Sequence, residues 1–297
     1  MPELPEVECI VRTLRPTLPG ASIRAVELLS PNNIREPDPA AFAACIVGRR
    51  IVDISRRGKY LVTRLDAGWW LLVHLGMTGQ LLLQDGHCPP PRFARVAFHL
   101  SDGPTLWFAD MRKFGRLVLT RRPEATLGHL GPEPLDPRLK PEDFARRLQG
   151  SRRPVKTLLL DQSFLAGIGN IYADEALFEA RIDPRRRACT LSAPEGARLL
   201  EGVRTVLQRG IANHGTTIAT YVDASGLAGS NQKQLKAYRR AGERCLRCQG
   251  TISRVVLGGR STCFCPTCQP RRHRGLSTSS ARTAANDPSR GASVVFA

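Results

Sequence analysis

The sequence has little that would suit a membrane or an export pathway. Apolar runs such as Trp69–Val73 are far shorter than the ~20 residues that a membrane-spanning helix needs. The first residues, Met1–Glu6, lack the basic region and the apolar core of a signal peptide. We therefore expect no membrane partner and a location in the cytoplasm.

Acidic residues are scarce. The 297 residues include 26 Asp and Glu against 44 Lys and Arg, which gives a formal net charge of +18. Because 42% of the residues are hydrophobic, the chain can build a core and is not a disordered polymer. Such an excess of cations suits a polyanionic partner, but it can also serve solubility. The placement of the charges along the chain distinguishes these two explanations.

A disulfide framework is not expected either, and a metal site in a reducing compartment fits the cysteines better. The nine cysteines are an odd number, and four of them form two C-x-x-C pairs, Cys245/Cys248 and Cys265/Cys268. This spacing is typical of one zinc ion held tetrahedrally by four thiolates, and a site closed by four ligands is structural. Thr251–Leu257 and Arg260–Phe264 between the pairs predict a β-hairpin. Cys263 alternates with Cys265 and is expected to face away from the metal.

The charges around this module have one sign. Between Lys233 and Arg274 there are eleven basic residues and one acid, Glu243. A solvated surface would mix both signs, so we interpret this segment as a phosphate-binding surface.

Up to residue 135 the chain is mainly strand-like. A helix is predicted close to the N-terminus, and short alternating or apolar runs predict strands in a β-sandwich or barrel-like layer. These runs are Ile23–Leu28, Ile51–Leu65, Trp69–Leu75, Arg95–Leu100, Leu106–Phe108 and Arg116–Thr120.

After the proline-rich stretch at 131–137, the hydrophobic residues recur at the spacing of an α-helix. Helices are predicted over Pro141–Leu148, Val155–Gln162, Ile171–Phe178 and from a capping box at Ser192–Glu195 onwards. We expect an α+β protein with a domain at 1–135, a helical domain at 136–224, a loop and zinc finger at 225–270 and a disordered tail at 271–297. Asp223–Gln234 is expected to be a mobile loop.

The N-terminus permits an unusual chemistry. Removal of Met1 would leave Pro2 as a secondary amine, which is partly neutral and nucleophilic near pH 7. Attack on an anomeric carbon would give an iminium ion, an electron sink for elimination, and Glu3 could move protons. By themselves, however, these residues are better explained as the ordinary first turn of a helix.

Eight segments in collinear order resemble the formamidopyrimidine-DNA glycosylase family, bacterial enzymes of base-excision repair. These segments are Met1–Glu8, Arg57–Leu61, His74–Gly79, Asp110–Gly115, His129–Leu135, Gly167–Ala173, Gly215–Thr217 and, inside the zinc module, Gly259–Thr262. The resemblance covers residues 1 to about 270. It implies an N-terminal β-sandwich with flanking helices, a helix–two-turn–helix motif in the helical domain and a C-terminal zinc-binding hairpin.

The resemblance also implies an activity. The chain would be a bifunctional glycosylase and abasic-site lyase that excises oxidised purines, 8-oxoguanine and formamidopyrimidines, and cleaves the strand by β,δ-elimination. Its partner would be double-stranded DNA with an oxidised purine or an abasic site. It would act as a monomer on nucleoid-associated DNA and hold one structural zinc ion.

Roles for individual residues follow from the resemblance. Pro2 would attack C1′, Glu3 would assist opening of the sugar ring, and Lys59 would contact phosphate and assist β-elimination. Arg260 would support phosphate binding and δ-elimination. Six residues would contact DNA. Three would fill the space of the extruded base, namely Met77, Arg112 and Phe114. Three would bind the phosphate backbone of the DNA, namely Arg152, Lys156 and Asn170.

The chain departs from the family pattern at several places. Phe93 stands where a DNA-contacting histidine is usual, and Gly229–Gln232 lacks the aromatic residue often found in the loop that covers the lesion. Two alternatives therefore stay open. One is an endonuclease VIII-like enzyme for oxidised pyrimidines, which Leu4 argues against; the other is a catalytically silent damage-binding protein, which retention of Met1 would produce.

Overall fold

In the computed structural model, residues 1–101 and 103–271 are described. The prediction of a disordered tail therefore lies outside the described residues, apart from Arg271. Within the described part, the order of elements is helix, sheets, helices and hairpin, which confirms the expected α+β class.

A helix, α1 (Leu4–Leu14), opens the chain as the sequence predicts. Pro5 suits its first turn, because a proline there loses no intrahelical hydrogen bond. The Glu6 carboxylate accepts a hydrogen bond from the backbone N–H of Glu3 at 2.8 Å and so satisfies an otherwise unpaired donor at the helix start. Leu4 packs in the helical core, whereas Val7 and the residues after it pack in the sandwich core. The first helix thus joins the two halves.

Nine strands form two sheets. They are β1 (Ile23–Leu28), β2 (Ile34–Glu36), β3 (Ile51–Arg57), β4 (Tyr60–Leu65), β5 (Trp70–His74), β6 (Gly79–Gln84), β7 (Ala94–Leu100), β8 (Thr105–Asp110) and β9 (Arg116–Thr120). The first sheet has the order β1–β7–β8–β6 and the second has the order β2–β9–β5–β4–β3. Only the pairing of β2 with β9 is parallel within these two sheets. Inward side chains of both sheets share one core, which confirms the predicted sandwich.

The predicted bounds agree for β1 and β9 and lie within two residues for β5, β7 and β8, and the predicted run at 51–65 divides into β3 and β4. Besides the short helix at 123–127, the prediction misses three elements. These are β2, β6 and a helix, α2 (Pro39–Ile46). β6 does not alternate because both of its faces are covered: Leu81 packs in the main core, and Leu82 packs with Trp107 on the other side of the sheet.

The helical part follows a short helix, α3 (Pro123–Leu127). It contains α4 (Pro141–Gln149), α5 (Val155–Leu159), α6 (Asn170–Glu179) and α7 (Ala193–Ala212). The predicted capping box is present, since Ser192 accepts from the N–H of Glu195 and donates its own N–H to that carboxylate. Helix α5 is shorter than the predicted helix at 155–162 and ends before Gln162. The side-chain amide of Gln162 donates to the carbonyl of Ile168 and so stabilises the connection to α6.

The segment after α7 returns to the sandwich. Tyr221 and Ala224, which the sequence prediction places at the end of the helical domain, pack in the sandwich core. The predicted loop at 223–234 includes a 3-10 turn, Asn231–Gln234. The final hairpin consists of β10 (Ser253–Leu257) and β11 (Arg260–Phe264), joined by Gly258 and Gly259. Both glycines have positive φ, as a two-residue hairpin turn requires.

Candidate active site and zinc centre

A cavity of about 190 Å³ lies where the N-terminus, the sandwich, α6 and the zinc hairpin meet. Its walls bring together five of the residues that the sequence singles out: Glu3, Lys59, Met77, Asn170 and Arg260. They come from parts of the chain up to 257 positions apart, counted from residue 3 to residue 260. Met1 also lines this cavity, and Pro2 beside it is buried.

Glu3 binds the start of α6. Its carboxylate accepts hydrogen bonds from the backbone N–H groups of Gly169 at 2.7 Å and Ile171 at 2.9 Å. These donors have no partner inside the helix, and the N-terminal end of a helix dipole favours a negative charge. The side chain is only 2% exposed, so the carboxylate is held rigidly beside the N-terminus of the chain.

Glu6 forms a second buried site directly behind Glu3. It accepts from the Tyr172 hydroxyl and from the Thr216 N–H, each at 2.7 Å, in addition to the Glu3 N–H. Burial raises the pKa of Glu6 to about 6, and the charge of Glu3 acts in the same direction. Asn231 donates to the Thr216 hydroxyl at 2.8 Å, so this network connects the N-terminus with the 215–232 segment.

Lys59 lies in the turn between β3 and β4 and is 7% exposed. Burial lowers the pKa of its ammonium group, whereas the charges of Glu3 and Glu6 raise it. The turn is fixed by Glu133, which accepts from the Gly58 N–H at 2.6 Å and from the guanidinium of Arg57 at 3.0 Å. A buried amine beside a carboxylate is well suited to proton transfer.

The N-terminal amine lies in the same environment. In the chain with Met1, burial lowers the pKa of the terminal ammonium group, and Glu3 and Glu6 oppose that shift. The Pro2 nitrogen is an amide while Met1 is attached, so its nucleophilic form requires removal of Met1.

The loop after β8 carries the expected wedge residues. Phe114 is 52% exposed, and the guanidinium of Arg112 lies 4.7 Å from the centre of its ring. Buried Asp110 shapes the loop by accepting from the Gly115 N–H at 2.7 Å and the Thr78 hydroxyl at 2.6 Å. An exposed aromatic ring on a fixed loop costs hydration free energy and is available to a partner. Phe93, the departure noted above, is also exposed and pairs with the guanidinium of Arg92 at 4.7 Å.

The three predicted backbone contacts have different environments. Arg152 is exposed and forms no side-chain bond among the described residues. Asn170 is the first residue of α6 and does not lie in the turn between α5 and α6. Its side-chain amide donates to the Ser261 carbonyl of the hairpin at 3.0 Å. Lys156 is completely buried and bonded to Asp174. Its ammonium group lies beside a buried carboxylate and not at the surface, so the predicted phosphate contact stays a prediction.

The four predicted zinc ligands form one cluster. The ligand atoms of Cys245, Cys248, Cys265 and Cys268 all lie within 4.8 Å of one another. The sulfur–sulfur distance is 3.8 Å for Cys245 and Cys268. A tetrahedron with Zn–S bonds of about 2.3 Å has edges of about 3.8 Å, so the residues fit one structural zinc ion. Cys263 is outside the cluster, as expected, and its N–H donates to Asp174 at 3.0 Å.

Several important residues were missed by the sequence reasoning. Glu6, Glu133 and Asp174 are acids whose partners lie 75 to 210 positions away in the chain. Local spacing has no signal for such pairs. The one available signal is an acid within an otherwise apolar helical face, as at Glu6.

Comparison with known proteins identifies the class. Three family models match the chain: the formamidopyrimidine-DNA glycosylase N-terminal domain at residues 1–117, the H2TH domain of the same enzyme at 130–222, and a zinc finger found in FPG and IleRS at 242–271. The first two alone cover most of the chain and place it among the DNA-repair glycosylases.

Relatives agree with this class. Formamidopyrimidine-DNA glycosylase of Pelotomaculum thermopropionicum is 48% identical over 91% of this chain and 99% of its own length, and that of Moorella thermoacetica is 51% identical over 86% and 94%. The solved structure of MutM (Fpg) from Thermus thermophilus is 42% identical with a TM-score of 0.81, covering 90% of this chain and 98% of that one. The chain belongs to the formamidopyrimidine-DNA glycosylase family.

Solved complexes of relatives contain DNA. Lactococcus lactis Fpg bound to DNA with an abasic site is 33% identical, with a TM-score of 0.84 over 91% of this chain and 100% of that one. A mutant of the same protein is bound to DNA containing Fapy-dG, with a TM-score of 0.85 and the same coverage. Among the described residues, no helix is long and apolar enough to cross a membrane.

Proposed function

We propose that the protein is a bifunctional DNA glycosylase and abasic-site lyase for oxidised purines, 8-oxoguanine and formamidopyrimidines. The observation that carries the proposal is the assembly of Glu3, Lys59 and Arg260 around one cavity at the N-terminus. A carboxylate, a buried amine and a cation beside a potential amine nucleophile are the groups that base excision followed by elimination requires.

The first step would use Pro2 after removal of Met1. Its secondary amine attacks C1′ of the damaged nucleoside, and the base leaves with the bond electrons. Glu3 supplies a proton to the ring oxygen as the sugar opens, which yields an iminium ion between Pro2 and C1′. Glu3 is positioned for this task because two backbone N–H groups of α6 fix its carboxylate.

The lyase steps would follow on the same adduct. Loss of a C2′ proton expels the 3′ phosphate, and a second elimination expels the 5′ phosphate. Lys59 and Arg260, both lining the cavity, would assist proton transfer and stabilise the phosphate charge that develops. Hydrolysis of the iminium would then release the sugar fragment and restore Pro2.

Access to the base requires extrusion from the duplex. Met77, Arg112 and Phe114 would fill the space that the base leaves, and the exposure of Phe114 supports that role. Arg152 and Asn170 would contact the backbone. We further propose that the enzyme acts on duplex DNA as a monomer in the bacterial nucleoid, since one chain supplies every residue of the site.

Borohydride trapping on a duplex with 8-oxoguanine tests the proposal. Protein with a free Pro2 should form a covalent adduct, and Pro2→Gly, which leaves a primary amine, should keep part of it. Protein whose Pro2 nitrogen is acetylated should form none, because an amide nitrogen has no available lone pair. Equal trapping by the blocked protein would assign the nucleophile to Lys59 instead.

The same assay separates the alternatives. An endonuclease VIII-like enzyme would trap faster on a duplex with an oxidised pyrimidine than on one with 8-oxoguanine. A silent damage-binding protein would bind both duplexes and trap neither, even after its N-terminus has been processed.

A further inference from the structure

A second and larger cavity, of about 780 Å³, lies at the base of the zinc module. Asn170 of the catalytic cavity begins α6, and Arg181 of this cavity follows its end. Ten helical residues rise about 15 Å, so the two cavities are at opposite ends of the helix. The charged residues that line the second cavity are four arginines and one acid: Arg181, Arg186, Arg198, Arg247 and Glu195.

Arg181 occupies a position that normally belongs to glycine. It follows the last turn of α6 with φ of 57°, and the N–H of Ile182 bonds back to the Leu177 carbonyl, as in a glycine-ended helix. A left-handed conformation costs an arginine free energy that a glycine would not lose. The side chain is exposed and forms no hydrogen bond or ion pair among residues 1–101 and 103–271. An unpaired cation at a strained position is typical of a binding residue.

Arg186 offers a buried donor without a partner. Its guanidinium is 9% exposed and binds both carboxylate oxygens of Glu195, at 2.6 and 3.0 Å. The Nε–H of the same group is buried and has no hydrogen-bond acceptor within the described part of the chain. Buried N–H groups are normally paired, so this donor carries a desolvation cost that no contact in the described residues offsets.

Arg198 and Arg247 are held in place by backbone carbonyls. Arg198 donates its Nε–H to the Ala180 carbonyl at 2.9 Å, and Arg247 donates to the Phe178 carbonyl at 2.9 Å while its guanidinium lies 4.4 Å from the Phe178 ring. Each guanidinium keeps further N–H groups, because five donors cannot all be used by one carbonyl. Fixed guanidinium groups lose little conformational entropy when they bind an anion.

Within the described residues, the four arginine side chains do not bond directly to the thiolates that would hold the zinc ion. Cys248 and Cys268 also line the cavity, and a zinc ion with four thiolates carries a net negative charge. Across residues 1–101 and 103–271, however, no arginine side chain donates to a cysteine sulfur. The side chains of Arg198 and Arg247 bond to carbonyl oxygens, and that of Arg186 bonds to a carbonyl and a carboxylate. Arg247 also lies 3.7 Å from a carboxylate oxygen of Glu179. Four cations therefore line the cavity with one carboxylate, and Glu179 beside Arg247 and the zinc cluster offset part of this excess.

We propose that this cavity is a phosphate-binding site, separate from the catalytic cavity. Planar guanidinium groups bind phosphate oxygens in pairs through charge-assisted hydrogen bonds. The volume exceeds that of a single phosphate, so the ligand contains several phosphate groups in a row. A free polyphosphate and the backbone of a second nucleic acid segment both have this chemistry.

Calorimetry with tripolyphosphate on zinc-loaded protein tests the site. The variant Arg181→Gly/Arg198→Ala removes two cations, and glycine relieves the strain at residue 181. The matched control, Arg24→Ala/Arg35→Ala, removes two exposed cations of the sandwich. To keep the probe out of the catalytic cleft, the protein is first saturated with a short duplex that carries a stable abasic-site analogue.

We expect the wild type and the control to bind tripolyphosphate equally and the double variant to bind it roughly tenfold or more weakly. Zinc content should be the same in all three proteins, and all three should be fully folded at the assay temperature. Equal affinity in all three would overturn the site. If the abasic duplex does not bind at all, the proposed function fails, and the comparison of the three free proteins still tests the cavity.

A second arm identifies the source of the phosphate. A fluorescent undamaged duplex is added to the saturated complex, and its binding is followed by anisotropy. Weaker binding by the double variant than by the control would indicate a second nucleic acid segment. Equal duplex binding together with a loss of tripolyphosphate binding would indicate a free polyphosphate, and no difference with either probe would contradict the proposal.

Discussion

The Glu3 carboxyl group occupies the space that a side chain on Gly169 would need. A Cβ atom built on residue 169 would lie 2.3 Å from the carboxyl carbon of Glu3, far inside van der Waals contact. Glycine at this position therefore permits the acid to reach the N-terminus of α6. The close approach, more than any turn conformation, explains why the chain has glycine there.

Replacing that glycine should damage catalysis. We expect Gly169→Ala to displace Glu3 and to slow excision of 8-oxoguanine on the order of a hundredfold, because a shift of about 1 Å in a catalytic group has effects of that size. Single-turnover excision measures it. The control Gly150→Ala, where the nearest atom to a new Cβ is 3.5 Å away, should keep normal rates. Comparable losses in both variants would mean that general stability, not Glu3, is affected.

Two residues to which the resemblance assigns the same role should behave differently. Lys156→Ala leaves Asp174 buried without its cation and should destabilise the fold by about 3–5 kcal/mol. Arg152→Ala removes an exposed cation, so stability should be unchanged. The slope of log K for DNA binding against log salt concentration should become shallower by about 0.9. Urea unfolding and salt titrations measure both. A stable Lys156→Ala protein with a lower salt slope would support the predicted phosphate contact.

This pair shows where sequence reasoning ends. The zinc ligands were predictable because their chemistry lies in the spacing of two C-x-x-C pairs. β1 was predictable because Val26 and Leu28, which pack against the core, alternate with exposed Ala25 and Glu27. The burial of Lys156 and the partners of Glu6 depend on how α1, α6 and the segment at 216 pack together. Residues up to 210 positions apart leave no periodic signal.

Glu6 should give the stability a measurable pH dependence. Its pKa is about 6 in the folded protein and 4.5 for an ordinary glutamate, so between these values the folded state binds more protons than the unfolded state. Stability from this group is therefore present at low pH and is lost as the pH rises to about 6. The difference between these two pKa values corresponds to roughly 2 kcal/mol of stability.

Glu6→Gln removes that titration. Relative to the wild type, its free energy of unfolding should increase by roughly 2 kcal/mol between pH 4 and pH 7. Urea denaturation at the two pH values provides the measurement, and the difference between the proteins cancels the titration of other groups. Parallel pH profiles would show that Glu6 has an ordinary pKa.

The wedge residues should affect only substrates with a base to extrude. Phe114→Ala or Met77→Ala should slow excision from a paired lesion, since unstacking costs a few kcal/mol, and should leave cleavage of a preformed abasic site almost unchanged. Leu246→Ala, which truncates another exposed apolar side chain, serves as the control. If both substrates lose activity equally, Phe114 and Met77 have a structural role and do not assist extrusion.

Zinc should control DNA binding without taking part in the chemistry. A module as small as the hairpin buries too little apolar surface to hold its shape, so the metal supplies its folding free energy. The hairpin carries Arg260 and holds Asn170 through the Ser261 carbonyl.

We expect Cys245→Ser or Cys268→Ser to abolish duplex binding while the sandwich stays folded. Any residual binding should have a lower salt slope, by about 0.9 for each phosphate that the hairpin no longer neutralises. Cys88→Ser, at an exposed thiol outside the cluster, should match the wild type in zinc content and affinity. Unchanged affinity and salt slope in a zinc-free variant would contradict the role of the hairpin in DNA binding.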